Sequence, residues 1–239
     1  MFPLHDDIPS ERFPFVNYAL IALCVVAWLL ELGQGEQLER FLRAWAVVPS
    51  EFLSALGPRG GARSDELFTP ITAMFLHGGW MHLIGNMWFL FVFGDNVEGR
   101  MGHFNYLLFY LVSGLAATVA QVAISPGSSI PLVGASGAIA GVLGAYMVMF
   151  PYSRVLTLVT VGFFWVFPRI AAPWFLGLWF ITQALAGLLA LGVSQATGGV
   201  AWWAHIGGFV VGFVVGWLFR GGRRSSRAWD YNFDRFDRW

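Results

Sequence analysis

One hydroxyl and three imidazoles interrupt runs of residues that are otherwise apolar. Ser136 lies in Gly134-Ala135-Ser136-Gly137, His205 opens Ala204-His205-Ile206-Gly207-Gly208, and His77, His82 and Asn86 punctuate "FLHGGWMHLIGNMW". A serine becomes a nucleophile when an imidazole within hydrogen-bond reach takes its proton. Imidazole, amide or backbone N–H donors can then steady the oxyanion that forms on an attacked carbonyl. The residue types are those of acyl transfer. Each also has an ordinary reading: a serine in an apolar helix commonly bonds back to a carbonyl, Asn86 can tie helices together, and a buried histidine can pair structurally. The chemical reading needs three distant segments to bring these groups to one place.

The composition says which elements must do so. Apolar residues make up 57% of the 239 and charged residues 12%, with a mean hydropathy of +0.63. A soluble chain carries about 25% charge. No Asp, Glu, Lys or Arg occurs in Phe104 to Ser153, Val155 to Pro168 or Ile170 to Phe219, and about 20 apolar residues suffice to cross a bilayer. The pattern predicts an all-α, polytopic membrane protein. Residues 1–12 form a cytoplasmic N-terminal segment, 13–219 a bundle of six spans, and 220–239 a cytoplasmic tail rich in Arg and aromatic residues. The spans are expected at 13–32, 72–93, 103–123, 134–150, 173–193 and 202–219. The segment 155–170 is too short to add a seventh without moving the tail outside, so it is placed at the inner interface or as a buried lead-in to the fifth span.

Loop charge orients these spans. The tail holds Arg220, Arg223, Arg224, Arg227, Arg235 and Arg238, and by parity Arg100, Arg154 and Arg169 fall on the same, inner side, whereas loops 124–133 and 194–201 carry no Arg. Loop 33–71 is the exception, its four Arg facing five acids. The N-terminal "MFPLHDDIPSER" is acidic and resembles neither a secretory signal nor a transit peptide. The expectation is a multi-pass protein of a bacterial or archaeal plasma (inner) membrane with both termini cytoplasmic. The single cysteine, Cys24, forms no internal disulfide.

With this topology spans two, four and six all start at the outer face, and the polar groups cluster at those three starts. Span four, between Pro131 and Pro151, has about 17 residues and a length of about 25 Å, against a hydrocarbon core of about 30 Å. Ser136 is therefore expected below the outer surface, in a pit open to water. Gly208, Gly212 and Gly216 on span six, and Gly137 and Gly141 on span four, repeat every four residues and allow close helix approach. If those faces meet, Ser136 and His205 become neighbours. His82 and Asn86, at i and i+4, share a face, and the Ser136 N–H stands unpaired at a helix start. Other chemistries lack their residues. There is no His-Glu-x-x-His zinc run, no second intramembrane acid beside Asp95 for an aspartyl pair, no buried Asp or Glu beside the histidines for a metal, and no phosphate-cradling glycine loop. Neither a metal, a nucleotide nor a nucleic acid is expected as ligand.

On "GASG" at 134–137, "AHIGGFVVG" at 204–212 and His77-x4-His82-x3-Asn86, the chain resembles the rhomboid intramembrane serine proteases over roughly residues 13–219; "GDNVEGRMG" at 94–102 is similar to the family's segment after span two. The resemblance implies that Ser136 attacks the scissile carbonyl and that His205 is general base, then acid. It implies an oxyanion hole of His82, Asn86 and the Ser136 N–H, with His77, Gly134 and Gly137 in support, Glu98 and Arg100 in structural roles, and no cofactor. Loop 33–71 would be a partly inserted hairpin and span five a mobile gate. The partners would be the lipid bilayer and single-span transmembrane substrates, cut near the outer face at small residues followed by helix-destabilising ones. A non-proteolytic relative that binds membrane helices is the alternative, and such relatives lack the serine or histidine. The chain departs from the family at Trp45-Ala46, where members often have Trp-Arg, and at Ala140, where some have an aromatic that supports the histidine. Phe209 or a span-two residue is expected to hold His205 instead.

Overall fold

The computed structural model describes residues 1–57, 64–191 and 200–220. In chain order its elements are β1 (Phe2–Asp6), α1 (Phe15–Leu32), α2 (Leu38–Trp45), α3 (Pro49–Leu56), α4 (Thr69–Thr72), α5 (Trp80–Met101), α6 (His103–Ile124), α7 (Ser136–Met149), β2 (Arg154–Val161), β3 (Phe164–Val166), β4 (Arg169–Ala171), α8 (Ala172–Ala190) and α9 (Trp202–Phe219). The protein is a helical membrane bundle. By length and composition α1, α6, α8 and α9 can each cross a bilayer. α5 is as long but carries Asp95, Glu98 and Arg100 in its last turns, and α7 has only 14 residues.

α7 is the axis of the bundle. Twelve of its residues are buried, so it meets α5, α6 and α9 rather than lipid. Small residues make this possible. A Cβ at Gly208 would lie 1.9 Å from the Gly137 carbonyl oxygen, and one at Gly144 would lie 2.2 Å from that of Phe209. The α7 and α9 backbones are in contact along the two glycine faces, with van der Waals packing replacing the hydrophobic drive that lipid cannot supply.

Most helices lie within a few residues of the spans read from the sequence. The second does not. Residues 69–75 form short helical turns, and α5 starts only after Gly78-Gly79, leaving His77 before the helix. Thus 72–79 is a shaped entry to the helix rather than its first turns. At the far end of α5 the Glu98 carboxylate accepts from the N–H groups of Val16 and Asn17 at 2.9 and 2.7 Å, capping the first turn of α1. Arg100 sits over the Phe150 ring at 5.1 Å.

The segment 155–170 forms a sheet. β2 is its central strand, antiparallel to β1 on one edge and to β4 and β3 on the other. Apolar and β-branched residues fill Arg154–Val161, and Gly162 supplies the turn with φ +60°. Residues 1–12, read as a cytoplasmic segment, supply β1. Most of loop 194–201 and residues 221–239 of the Arg-rich tail lie outside the described residues.

Candidate active site

Ser136 is the first residue of α7. The first intrahelical bond there runs from the Ile139 N–H to the Ala135 carbonyl, so the N–H groups of Ser136, Gly137 and Ala138 have no helical acceptor and face the positive end of the helix dipole. Gly134 adopts φ +125° and donates its N–H to Ala73. A Cβ there would be 2.8 Å from both Cε1 and Nε2 of His82. Backbone angle and crowding each require glycine, and its absent side chain lets the His82 ring approach the serine turn.

His205 is in the first turn of α9, whose start is held by a bond from the Ala204 N–H to Gln121 Oε1 of α6. Its Nε2 lies 2.8 Å from Ser136 Oγ. Its Nδ1 lies 2.7 Å from Oε1 of Gln183 on α8. The amide oxygen can only accept, so Nδ1 carries the proton and Nε2 turns a lone pair to the hydroxyl, the tautomer a base requires. Trp179 lies over the imidazole with ring centres 6.0 Å apart, and Trp202 meets it edge-on at 6.2 Å. The support expected from Phe209 or span two comes from α8 instead. Phe209 packs on Trp179 and Phe180.

His82 completes the near side. Its Nδ1 accepts from the Gly78 N–H at 3.3 Å, which leaves the proton on Nε2, the nitrogen beside Gly134. Asn86, one turn along the same face, is buried, and its Nδ2 has no hydrogen-bond partner among the described residues. His77 is almost fully buried, edge-on to His82 at 5.2 Å. Its N–H donates to Glu31 Oε1 at 3.0 Å. The sequence reading found no buried acid beside the histidines; Glu31, at the end of α1, is one, 2% exposed. Even so, no group of three metal-ligating side chains occurs among the described residues. An apolar hollow opens beside Ser136, lined by Met74, Gly114, Ala117, Leu132, Gly137 and Ala204.

Gln183 and Gln121 were missed from the sequence. Gln183 is the one amide of α8 and Gln121 stands alone in the apolar second half of α6, and that is the signal that could have found them, because buried polar groups need partners.

The fold and these side chains define a polytopic helical membrane protein with a serine–histidine pair at the start of its central helix. A family model for the Rhomboid domain matches residues 64–222, and the chain belongs to the rhomboid family, whose members are generally intramembrane serine proteases, some of them without activity. It is 32% identical over 176 residues to RHOMBOID-like protein 6, mitochondrial, of Arabidopsis thaliana, covering 70% of this chain and 48% of that protein. To Rhomboid protein 1, mitochondrial, of Saccharomyces cerevisiae it is 27% identical over 208 residues, 84% of this chain and 52% of the relative. To Rhomboid protease GluP of Bacillus subtilis it is 28% identical over 203 residues, 84% and 34% respectively. The chain thus spans about half the length, or less, of these relatives. Their organellar and bacterial names leave the membrane it occupies unassigned, so the plasma membrane stays an expectation from the sequence.

Proposed function

We propose that this protein is an intramembrane serine endopeptidase using a Ser136–His205 dyad on single-span transmembrane substrates. The observation that carries the reading is the 2.8 Å approach of His205 Nε2 to Ser136 Oγ, with Nδ1 tied to an acceptor. In the proposed cycle Ser136 Oγ attacks the scissile carbonyl as its proton passes to His205 Nε2. Charge develops on the carbonyl oxygen, toward which the His82 Nε2–H, the Asn86 Nδ2–H and the Ser136 N–H can donate. Collapse breaks the C–N bond, the leaving amine takes the proton from His205, and an ester to Ser136 remains. A water then gives its proton to His205 and attacks the ester carbonyl; the C–Oγ bond breaks, Ser136 Oγ takes the proton back from His205, and the acid is released. One such donor is commonly worth about 3–4 kcal/mol of barrier.

The hollow beside Ser136 is lined by small and apolar side chains, which suits a small residue at the cut. A helical peptide bond is shielded by its own hydrogen bonds, so substrates that unwind easily near the cut are favoured. The proposed setting is a bilayer crossed six times, with Ser136 nearer the outer face.

The test is cleavage of a model single-span substrate in liposomes. Ser136→Ala should abolish it while the variant keeps its fold; undiminished cleavage by that variant overturns the mechanism. A non-proteolytic, helix-binding role predicts no covalent labelling of Ser136 by a fluorophosphonate.

A further inference from the structure

The sheet is not an appendage beyond the helix ends. Asp6 accepts from Asn96 Nδ2 at 2.7 Å, and the Pro3 carbonyl accepts from Trp88 Nε1 at 2.6 Å. Asn96 and Trp88 are eight residues apart on α5, about 12 Å along its axis. Pro3 and Asp6 are about 10 Å apart on an extended strand. β1 therefore lies along the flank of α5, with Asp6 at the Asn96 end and Phe2 stacked on Trp88, ring centres 5.5 Å apart.

Strand pairing extends this placement to the hairpin. Asp6 pairs with Val155 and Phe2 with Leu158, so β2 rises beside β1, and Val159 to Val161 continue past it before the Gly162 turn. The side chains are graded along this rise. Asp6, Asp7, Arg154 and Arg169 sit at the base, and no charged residue lies between Arg154 and Arg169. Phe163 is fully exposed, and Phe164, Trp165 and Phe167 are more than half exposed. Charge at the base and bare aromatics at the far end follow the polarity gradient from headgroup to acyl chain.

Unpaired strand edges are costly in hydrocarbon. Here β1 covers one edge of β2 from Val155 to Leu158, β4 then β3 cover the other as far as Val161, and the flanking strands are short, with five, three and three residues, so open edge is confined to the last few residues of the hairpin.

We propose that the β2–β3 hairpin is a lipid-immersed anchor, its aromatic end among the acyl chains of the leaflet at which α7 ends and α8 begins. The occupant of the exposed aromatic face is lipid. This does not depend on the protease reading.

The test uses the full chain in liposomes, carrying an environment-sensitive fluorophore on Phe163→Cys or, separately, Trp165→Cys. Cys24 is fully buried, and the unsubstituted protein serves as the labelling control. Monodispersity and circular dichroism verify folding of each variant. Lipids with a nitroxide on the acyl chain should quench both positions several-fold more than headgroup nitroxide or aqueous iodide. Dominant iodide quenching would overturn the proposal by placing the hairpin in water. Shielding from lipid and iodide alike would overturn it too, since a protein surface would then cover the face.

Discussion

Gly212 lies directly against the Gly141 carbonyl: a Cβ built on Gly212 would stand 1.8 Å from that oxygen. No rotamer relieves such a contact, because both partners are backbone. Gly212→Ala must push α9 away from α7 or fail to pack, and overpacking of this kind commonly costs about 1–3 kcal/mol. The expected outcome is a lower melting temperature in detergent. Any folded fraction should lose activity as well, since the displacement also moves His205 from Ser136. Unchanged stability would contradict the close helix contact.

Gln183 should act through the imidazole. Gln183→Leu removes the acceptor on Nδ1, and losing one such bond is worth about 1–1.5 kcal/mol, roughly tenfold in rate. The expectation is a kcat reduced about tenfold with little change in KM. Gln183→Glu retains an acceptor but adds charge, so the acidic limb of the pH profile should move to higher pH. A purely structural glutamine would leave the profile in place.

His82→Ala and Asn86→Ala should each lower kcat by about 10²-fold or more if both donate to the oxyanion, while labelling of Ser136 by a small fluorophosphonate persists at a reduced rate. Gly134→Ala should be worse than its size suggests, since the new methyl meets the His82 ring in a backbone conformation that alanine resists. Full activity in any of the three would remove that residue from the proposed site.

Asp6 makes stability depend on pH. Burial raises its pKa from 3.8 to about 7, against the hydrogen bond from Tyr146, with Asp95 and Asp7 adding to the rise. Between those values the folded protein holds a proton that the unfolded chain has released. The contribution is complete below about pH 4 and fades as the pH climbs through 7. The melting temperature should therefore fall between pH 5 and pH 8, and Asp6→Asn should flatten that slope. A wild-type curve already flat over this interval would refute the assignment.

The helical bundle was legible because its signals are strong ones. Charge-free runs reveal membrane helices, and the four-residue glycine spacing identifies the faces of α7 and α9 that touch. Ser136, His82 and His205 stood out as polar groups at helix starts. What escaped notice depends on contacts distant in sequence. Gln183 gains meaning only once α8 is laid against α9. Glu31 becomes a partner of the site only once the backbone of His77 is laid against the end of α1. β1 pairs with a strand about 150 residues away, and nothing local in "FPLHD" announces that partner. The late start of α5 was readable in Gly78-Gly79, a pair that breaks a helix.

A transmembrane helix that is too short ordinarily leaves its lipid neighbours to make up the difference, by thinning the bilayer around it. α7 spans about 21 Å where the hydrocarbon core measures about 30 Å, yet a palisade of other helices stands between it and the acyl chains. The deficit is thereby transferred from the lipid to the protein interior. No membrane need deform to accommodate the short rod, and on the placement proposed for Ser136 the unfilled length beyond the first residue of α7 is a permanent well.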